Sequence, residues 1–582
     1  MLVTAAVAGL AGCDRVRDNV AAPPTSASAS AEARPLTTTE AANDQRSSEP
    51  NSAAWFHEVR DNGFSFTCDS GAFGNYRFPE ITTGGIAIFD FDNDGVLDIY
   101  CVNGQRETSD AAPLTNKLFK QSAGGKFVDV TEQSGLGDTH FGMGVAIGDV
   151  DNDGDRDVLV TNYGPDQLYR NRGDGTFENV TAAAGIDAPG WSTSAAFFDY
   201  DEDGFLDLYI CQYLHWDPEK LCYDMAGRRD YCGPSVFPGA HDLLFHNRGD
   251  GTFENVTRQA GIANAAGHGF GVVCHDFDDD NDLDLYVTND GDANHLWINQ
   301  GDGTFRDEAI MMGVALSGQG YAEAGMGVVT ADFDADGFFD LFMTHLDKET
   351  NTFYRNLGSG IGFHDATGSS GLGTDSMPLT GFGTAAFDLE LDGDVDLAVV
   401  NGRVMWGAPR RDAELPAPWN AYCEPNLLYR NDGAAKFVSA CVEAGEFCTR
   451  VEVSRGLAVG DLDDDGDLDM VVTNLNSPVR LYRNDAPRRG GWLIVVPFNP
   501  ALHRVETNAV VSVNLGGKIM KRIVSGGYSY LSYSPEVAHF GLGNERPASF
   551  DVQWRDGTRE RFKLDDIHQR VRAVKGQGEI VR

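Results

Sequence analysis

Asp149-Val150-Asp151-Asn152-Asp153-Gly154-Asp155-Arg156-Asp157 is the stretch on which the reading of this chain turns. Carboxylates fall at positions 1, 3, 5 and 9 of a nine-residue loop, with glycine at position 6. Gly144-Val145-Ala146-Ile147 precedes it and Val158-Leu159-Val160-Thr161-Asn162 follows it. Both flanks are short and rich in β-branched residues, so the loop reads as the turn of a β-hairpin.

The pattern D-x-D-x-D-G-x-x-D occurs seven times along the chain. The first copy holds Asp90, Asp92, Asp94 and Asp98, the second Asp149, Asp151, Asp153 and Asp157, and the third Asp199, Asp201, Asp203 and Asp207. The fourth holds Asp276, Asp278, Asp280 and Asp284, with Asn281 in place of glycine; asparagine also visits the left-handed region. The fifth holds Asp332, Asp334, Asp336 and Asp340. The sixth holds Asp388, Glu390, Asp392 and Asp396, so one side chain is longer by a methylene. The seventh holds Asp461, Asp463, Asp465 and Asp469.

After each hairpin comes an aromatic strand ending in Asn, as in Leu168-Tyr169-Arg170-Asn171, then a Gly-rich turn and a fourth strand, as in Gly173-Asp174-Gly175-Thr176-Phe177. Four strands per unit, repeated radially, make a propeller blade. The seventh unit reaches Leu481-Tyr482-Arg483-Asn484 and stops short of its fourth strand. Phe56-His57-Glu58-Val59 matches the missing segment, so the N-terminal strand is expected to complete the last blade and close the ring.

Four carboxylates in nine residues crowd negative charge: at ~5 Å and an effective dielectric of ~20, each pair costs roughly 3 kcal/mol. All candidate ligands are oxygens, without His or Cys, which selects a hard cation, and a flexible carboxylate-rich turn favours Ca²⁺ over Mg²⁺. Up to seven calcium ions are expected, in structural sites. An EF-hand starts in the same way but needs Glu at position 12 between helices. Position 12 here is Cys101, Val160, Ile210, Val287, Met343, Val399 and Val472 in turn.

The 582 residues carry 88 Asp and Glu against 45 Lys and Arg, a formal net charge of −43. That charge excludes nucleic acid and anionic membrane surfaces as partners. Hydrophobic residues make up 42% of the chain, too many for disorder over most of its length. The N-terminus departs from this pattern. Leu2 to Leu10 is an apolar run too short to span a bilayer, ending in Leu10-Ala11-Gly12-Cys13, which resembles a bacterial lipobox with Cys13 as the lipidated residue. No Lys or Arg precedes the run; either the start lies upstream or the run is not a signal. Residues 1–13 are read as a lipoprotein-type signal, so that the membrane is reached only through a lipid anchor and the protein is exported to the periplasm or cell surface. Residues 14–53, rich in Ala, Ser, Thr and Pro, read as a disordered tether.

Of the ten cysteines, Cys222 and Cys232 flank one loop and Cys441 and Cys448 another, and each pair is an expected disulfide in an oxidising compartment. Cys101, Cys211 and Cys274 lie in predicted strands as buried thiols; Cys68 and Cys423 have no assigned role.

The loops followed by L-Y-x-N and G-D-G-T-F resemble the FG-GAP/VCBS repeats of integrin-type propellers. The segment after 490 is similar to the ASPIC/UnbV domain through Ser525-Gly526-Gly527-Tyr528-Ser529-Tyr530-Leu531-Ser532, His539-Phe540-Gly541-Leu542-Gly543 and Val552-Gln553-Trp554-Arg555-Asp556-Gly557. Together they resemble the cartilage acidic protein family and its bacterial relatives. The resemblance implies secretion, calcium binding and a role in binding or adhesion, with no catalytic residue. The expected fold is all-β: a seven-bladed integrin-type propeller over 54–486, followed by a small β-domain over 490–582.

In such blades the calcium loops and G-D-G turns share one face. Insertions from about Gln212 to Asp242 and from Arg403 to Glu424 rise from the other, carrying Tyr213, Trp216, Tyr223, Tyr231, Trp406 and Trp419. A protein or polysaccharide ligand is expected on that opposite face. Blade-entry residues His140, Trp191, His268, Glu323 and Arg455 fall there too, as channel-mouth hydrogen-bonding groups or as a ligand pocket. A non-enzymatic binding module is the leading reading. The alternatives are a polysaccharide-active enzyme using the channel and an assembly scaffold for exported proteins.

Overall fold

The computed structural model describes residues 54–106, 113–122 and 124–581. Cys13, the signal and the tether expected over 14–53 lie outside the described residues. Seven antiparallel sheets follow the seven loops. The second blade shows the plan: Phe141–Gly148, Asp157–Tyr163, Gln167–Asn171 and Phe177–Asn179, in that order from inside to outside. The innermost strands of successive blades touch in cyclic order, the seventh meeting the first, so the ring is closed.

Closure uses the N-terminus as expected. Phe56–Glu58 pairs antiparallel with Arg480–Asn484, Phe56 opposite Asn484 and Glu58 opposite Tyr482. Arg480 fixes this seam: its guanidinium lies 2.7 Å from both Glu58 and Glu452.

Strand alternation explains the core between blades. Phe89, Tyr100 and Val102 of blade one pack on Val145, Ile147, Val158 and Val160 of blade two. Each such side chain, fully buried, contributes about 1.5–3 kcal/mol.

The C-terminal residues form two further sheets. One contains Gly491–Asn499, Arg504–Val505, Ala538–Gly543 and Gln569–Val574; the other contains Val510–Leu515, Lys518–Ile523, Ser549–Gln553, Arg559–Lys563 and Glu579–Ile580. Their core is built on Leu493, Val511, Val513, Phe540, Phe550, Val552 and Trp554.

This small domain is locked to the propeller. Residues 525–534 leave it and enter the central channel. Ser532–Tyr533 adds a parallel strand to the inner edge of blade one. Ser529 exchanges backbone hydrogen bonds with Val328 of blade five. The Ser529 Oγ accepts the Thr384 amide at 3.0 Å, and the Leu531 amide donates to Ser194 Oγ at 3.1 Å. Tyr530 is fully buried between Phe270 and Phe382 and donates its hydroxyl to the Thr82 carbonyl at 2.7 Å. From the other end the 3-10 turn Phe78–Ile81 enters the channel and packs on Trp191, Tyr213 and Phe237. The channel is thereby filled with apolar and aromatic side chains along its length.

Candidate metal centres

The seven acidic loops share one internal hydrogen-bond plan. The position-1 carboxylate accepts the amide of position 6: Gly95 onto Asp90 at 2.9 Å, Gly154 onto Asp149 at 2.9 Å, Asn281 onto Asp276 at 2.9 Å. The position-5 carboxylate accepts the amide of position 7, as Val96 onto Asp94 at 2.9 Å and Phe205 onto Asp203 at 2.8 Å. Position 9 accepts the amide of position 2, as Val150 onto Asp157 at 3.0 Å and Phe277 onto Asp284 at 2.8 Å. These bonds wind the chain so that the carboxylates converge instead of splaying into solvent.

Backbone demands follow from that winding. Position 6 takes a positive φ in every loop, including Asn281 at +79°, so the asparagine does take the glycine conformation. Position 4 is also left-handed throughout, even where it is Ala335 (+53°) or Leu391 (+62°). No sequence signal marks that requirement, because Asn, Glu, Asp, Ala and Leu all occupy it.

The convergence leaves one chemical feature in all seven loops. Each contains a buried carboxylate oxygen without a hydrogen-bond partner: on Asp92, Asp151, Asp199, Asp278, Asp332, Glu390 and Asp461. Buried polar atoms are normally satisfied. Carboxylate oxygens of Asp90, Asp92 and Asp98 lie within 4.8 Å of one another, as do those of Asp149, Asp151 and Asp157, and of Asp276, Asp278 and Asp284. Burial pushes Asp98 up to about 8, Asp149 up to about 7 and Asp207 up to about 9, against amide hydrogen bonds that lower each of them. An all-oxygen donor set of crowded, desolvated carboxylates fits a hard divalent cation.

The loops differ in how much charge the protein supplies itself. Loop six is the most compensated: Arg489 and Arg430 stand 3.0 and 3.4 Å from Glu390, and Lys518 stands 3.3 Å from Asp394. Loop five has Arg355 on Asp334 at 2.6 Å, and loop one has Lys120 on Asp92 and Asp94. In loop three His246 approaches Asp201 and Asp207, each at 3.2 Å, where other blades carry Arg or Ile before the closing Asn.

Sequence reasoning missed the role of that Asn. Its amide donates to the position-9 carboxylate of its own blade, as Asn171 onto Asp157 at 2.8 Å. In five blades its side-chain amide reaches the loop of the preceding blade: Asn171 to the Phe91 carbonyl, Asn247 to Val150, Asn299 to Tyr200, Asn431 to Phe333 and Asn484 to Leu389, whereas Asn356 of blade five donates to the Phe339 carbonyl of its own loop. In blade one Gln121 takes the place of Asn and bonds Leu462 of blade seven at 2.7 Å. The recurrence of Asn at one register of every later blade was the available signal.

The loop face carries the C-terminal domain. The Gly541 amide donates to Asp388 at 3.0 Å, Lys521 donates to the Gly337 carbonyl at 2.7 Å, and His539 bonds the Gly466 carbonyl at 2.9 Å. Arg504 reaches Asn152 at 2.8 Å and the Gly204 carbonyl at 3.3 Å.

On the other face the two insertions meet. The Tyr422 hydroxyl donates to Asp230 at 2.9 Å, the Trp406 amide donates to Asp230 at 3.0 Å, and the Arg228 guanidinium covers the Trp406 ring. Tyr213 and Tyr231 are buried; Trp216, Trp406 and Trp419 are half-buried; Tyr223 is exposed. The blade-entry residues do not converge on one point. His140 is 2.6 Å from Asp138 and His268 is 2.7 Å from Asp292. Glu323 is 3.9 Å from His345, and burial pushes it up to about 7. Trp191 packs on Phe78, Tyr163 and Trp216. Arg455 is fully buried over Phe382 and donates to the carbonyls of Ile81, Gly402, Ser454 and Arg403.

Cys222 and Cys232 are disulfide-bonded. The bridge expected between Cys441 and Cys448 is corrected: both are free thiols. They are hydrogen-bonding neighbours, and that contact holds Cys441 down at about 7. Cys441 opens a short helix and Cys448 lies in the next, so helical backbone, not a loop, fixes their separation. Cys101, Cys211 and Cys274 are buried free thiols, as are Cys68 and Cys423.

The chain is a β-propeller in which residues 90–160, 149–210 and 276–343 match the FG-GAP-like repeat, followed by residues 501–580, which match ASPIC and UnbV. Among curated proteins the chain is similar to cartilage acidic protein 1. It is 25% identical to the Homo sapiens protein over 487 residues, covering 81% of this chain and 60% of that one. It is 26% identical to the Xenopus tropicalis protein over 315 residues, covering 53% of this chain and 45% of that one. The chain therefore spans about half to three-fifths of the length of these relatives. Among solved structures, the BP39L lectin from Burkholderia pseudomallei is similar at a TM-score of 0.40 and 11% identity, over 70% of this chain and 97% of that one.

Proposed function

We propose that this protein is an exported, calcium-loaded propeller acting as a non-enzymatic binding or adhesion module for protein or polysaccharide. The observation that carries the metal reading is the sevenfold recurrence of a buried, unpartnered carboxylate oxygen inside an all-oxygen loop. Position-1, position-3, position-5 and position-9 residues of each loop would hold the ion, which would neutralise charge that burial otherwise makes costly. Likeness to cartilage acidic protein 1 supports an extracellular location. A lipid on Cys13 would tie the protein to the membrane, and labelled palmitate incorporation lost in Cys13→Ala tests this. Among the described residues, no helix is long and apolar enough to cross a membrane.

Packing of the channel counts against an enzyme that works there, because Phe78, Phe270, Phe382 and Tyr530 occupy the space a substrate would need. The insertion cap opposite the calcium loops remains the proposed ligand face, with Tyr223 and the half-buried Trp216, Trp406 and Trp419 as its aromatic surface. A glycan array and a pull-down with the full chain, each in calcium and in chelator, test the reading. Calcium-dependent capture lost on changing Trp406 and Trp419 to Ala supports it. Turnover of a polymer overturns it.

A further inference from the structure

Beneath the C-terminal domain, a cleft of about 560 Å³ opens over calcium loops one and two. Asp90 and Asp149, the first residues of those loops, line one side, and Arg156, Arg570 and Arg572 line the cleft with them. These arginines are unusual in a chain holding 88 acids against 45 bases. Many guanidinium groups elsewhere are closely paired with carboxylates, as Arg561 with Asp551 at 2.7 Å and Arg410 with Asp412 at 2.7 Å. Here they are not. The Arg572 side chain makes no hydrogen bond or ion pair among the described residues and lies over the Phe498 ring at 3.6 Å. Arg570 comes only to 3.7 Å from Asp461, and Arg156 only to 3.8 Å from Glu536.

The strand Gln569–Val574 explains the alignment. Arg570 and Arg572 are two residues apart, so they project from one face. In the parallel pairing Arg570 stands opposite Ile494 and Arg572 opposite Val496. Stacking on Phe498 holds the Arg572 guanidinium flat and leaves its donor edges unspent, the arrangement that grips a planar oxyanion with two parallel N–H bonds. We infer that this cleft is an oxyanion-binding site for a small ligand carrying two carboxylates, of the size and chemistry of an acidic disaccharide, with Arg572 and Arg570 as its anchors.

The inference rests on the calcium reading in one respect. Asp90 and Asp149 would repel an anion unless a cation neutralises their loops, so binding should require calcium. It also places a site on the loop face, separate from the insertion cap.

Isothermal titration of the full chain with digalacturonate, glutarate and the neutral disaccharide cellobiose, in calcium, tests it. Digalacturonate is expected to bind, cellobiose not to bind, and Arg572→Gln to weaken digalacturonate at least tenfold, with a further loss in the Arg570→Gln/Arg572→Gln pair. Arg572→Lys, which keeps the charge and loses the fork, should recover only part of the affinity. Equal binding of glutarate would still support the site and would identify free dicarboxylates as its ligands. Absence of binding by either anion, or unchanged affinity in the double variant, overturns the site. Melting of each variant with and without calcium runs alongside: an intact calcium-induced rise in melting temperature with no anion binding refutes the cleft alone, whereas no calcium effect in the wild type refutes the metal reading.

Discussion

The Gly541 amide donates to Oδ2 of Asp388 at 3.0 Å, so a backbone group of the C-terminal domain completes the first carboxylate of the sixth acidic loop. The same domain threads Tyr530 into the channel. Propeller and C-terminal domain are one packing unit, joined at the loops and at the axis, and several measurements follow from that.

Tyr530 is the test of the axial joint. Replacing it with Ala removes a fully buried aromatic from between Phe270 and Phe382 and should cost roughly 3–5 kcal/mol. Tyr530→Phe loses only the hydrogen bond to Thr82 and should cost about 1 kcal/mol. Urea unfolding of both variants reads the difference; equal, small losses would mean the finger is a passive filler.

The metal-free protein should be destabilised by alkali. Burial raises Asp98 to about 8 and Asp207 to about 9, above an unfolded carboxylate near ~4. The folded state then holds protons that the unfolded state releases, so this contribution is full below about pH 4 and is lost as pH rises through about 8 to 9. In chelator the urea midpoint should fall between pH 5.5 and pH 8.5. In calcium that slope should flatten, because the ion and not the proton balances the charge.

Loop six should fill last. Arg489, Arg430 and Lys518 already offset Glu390 and Asp394, and an ion entering there meets like charge. Native mass spectrometry during a calcium titration should show one site lagging the others by tenfold or more. Arg489→Gln should tighten the lagging site. Seven ions binding in step would contradict this order.

Cysteine chemistry should separate the two pairs. Alkylation without reductant should spare Cys222 and Cys232 and label Cys441, whose thiol is held at about 7. Cys222→Ser/Cys232→Ser should lose roughly 2–3 kcal/mol by freeing the unfolded chain.

Much of this architecture was legible in the sequence because it is written in repeats. The acids at positions 1, 3, 5 and 9 located every loop, and Phe56 opposite Asn484 is the closure that counting strands implied. Position 4 was not legible, since its left-handed backbone is imposed by loop winding on side chains as unlike as Leu391 and Ala335. Nor was the docking of the C-terminal domain. Tyr530 stands in the sequence as one residue of the 525–532 stretch, and only the packed channel reveals that Phe270, Phe382 and Arg455 surround it. Cys441 and Cys448 misled because spacing carries no information about the helical geometry between them. The closing Asn recurs visibly, but in five blades a carbonyl it reaches belongs to a neighbouring blade, a relation that sequence order hides.

If the seven loops hold calcium, the fold should depend on it. Thermal unfolding of the full chain, followed as calcium is added to chelator-treated protein, tests it most directly. A single transition should rise by many degrees as calcium saturates the loops and return on adding excess chelator. A melting temperature indifferent to calcium, with no ion retained in native mass spectra, would contradict it.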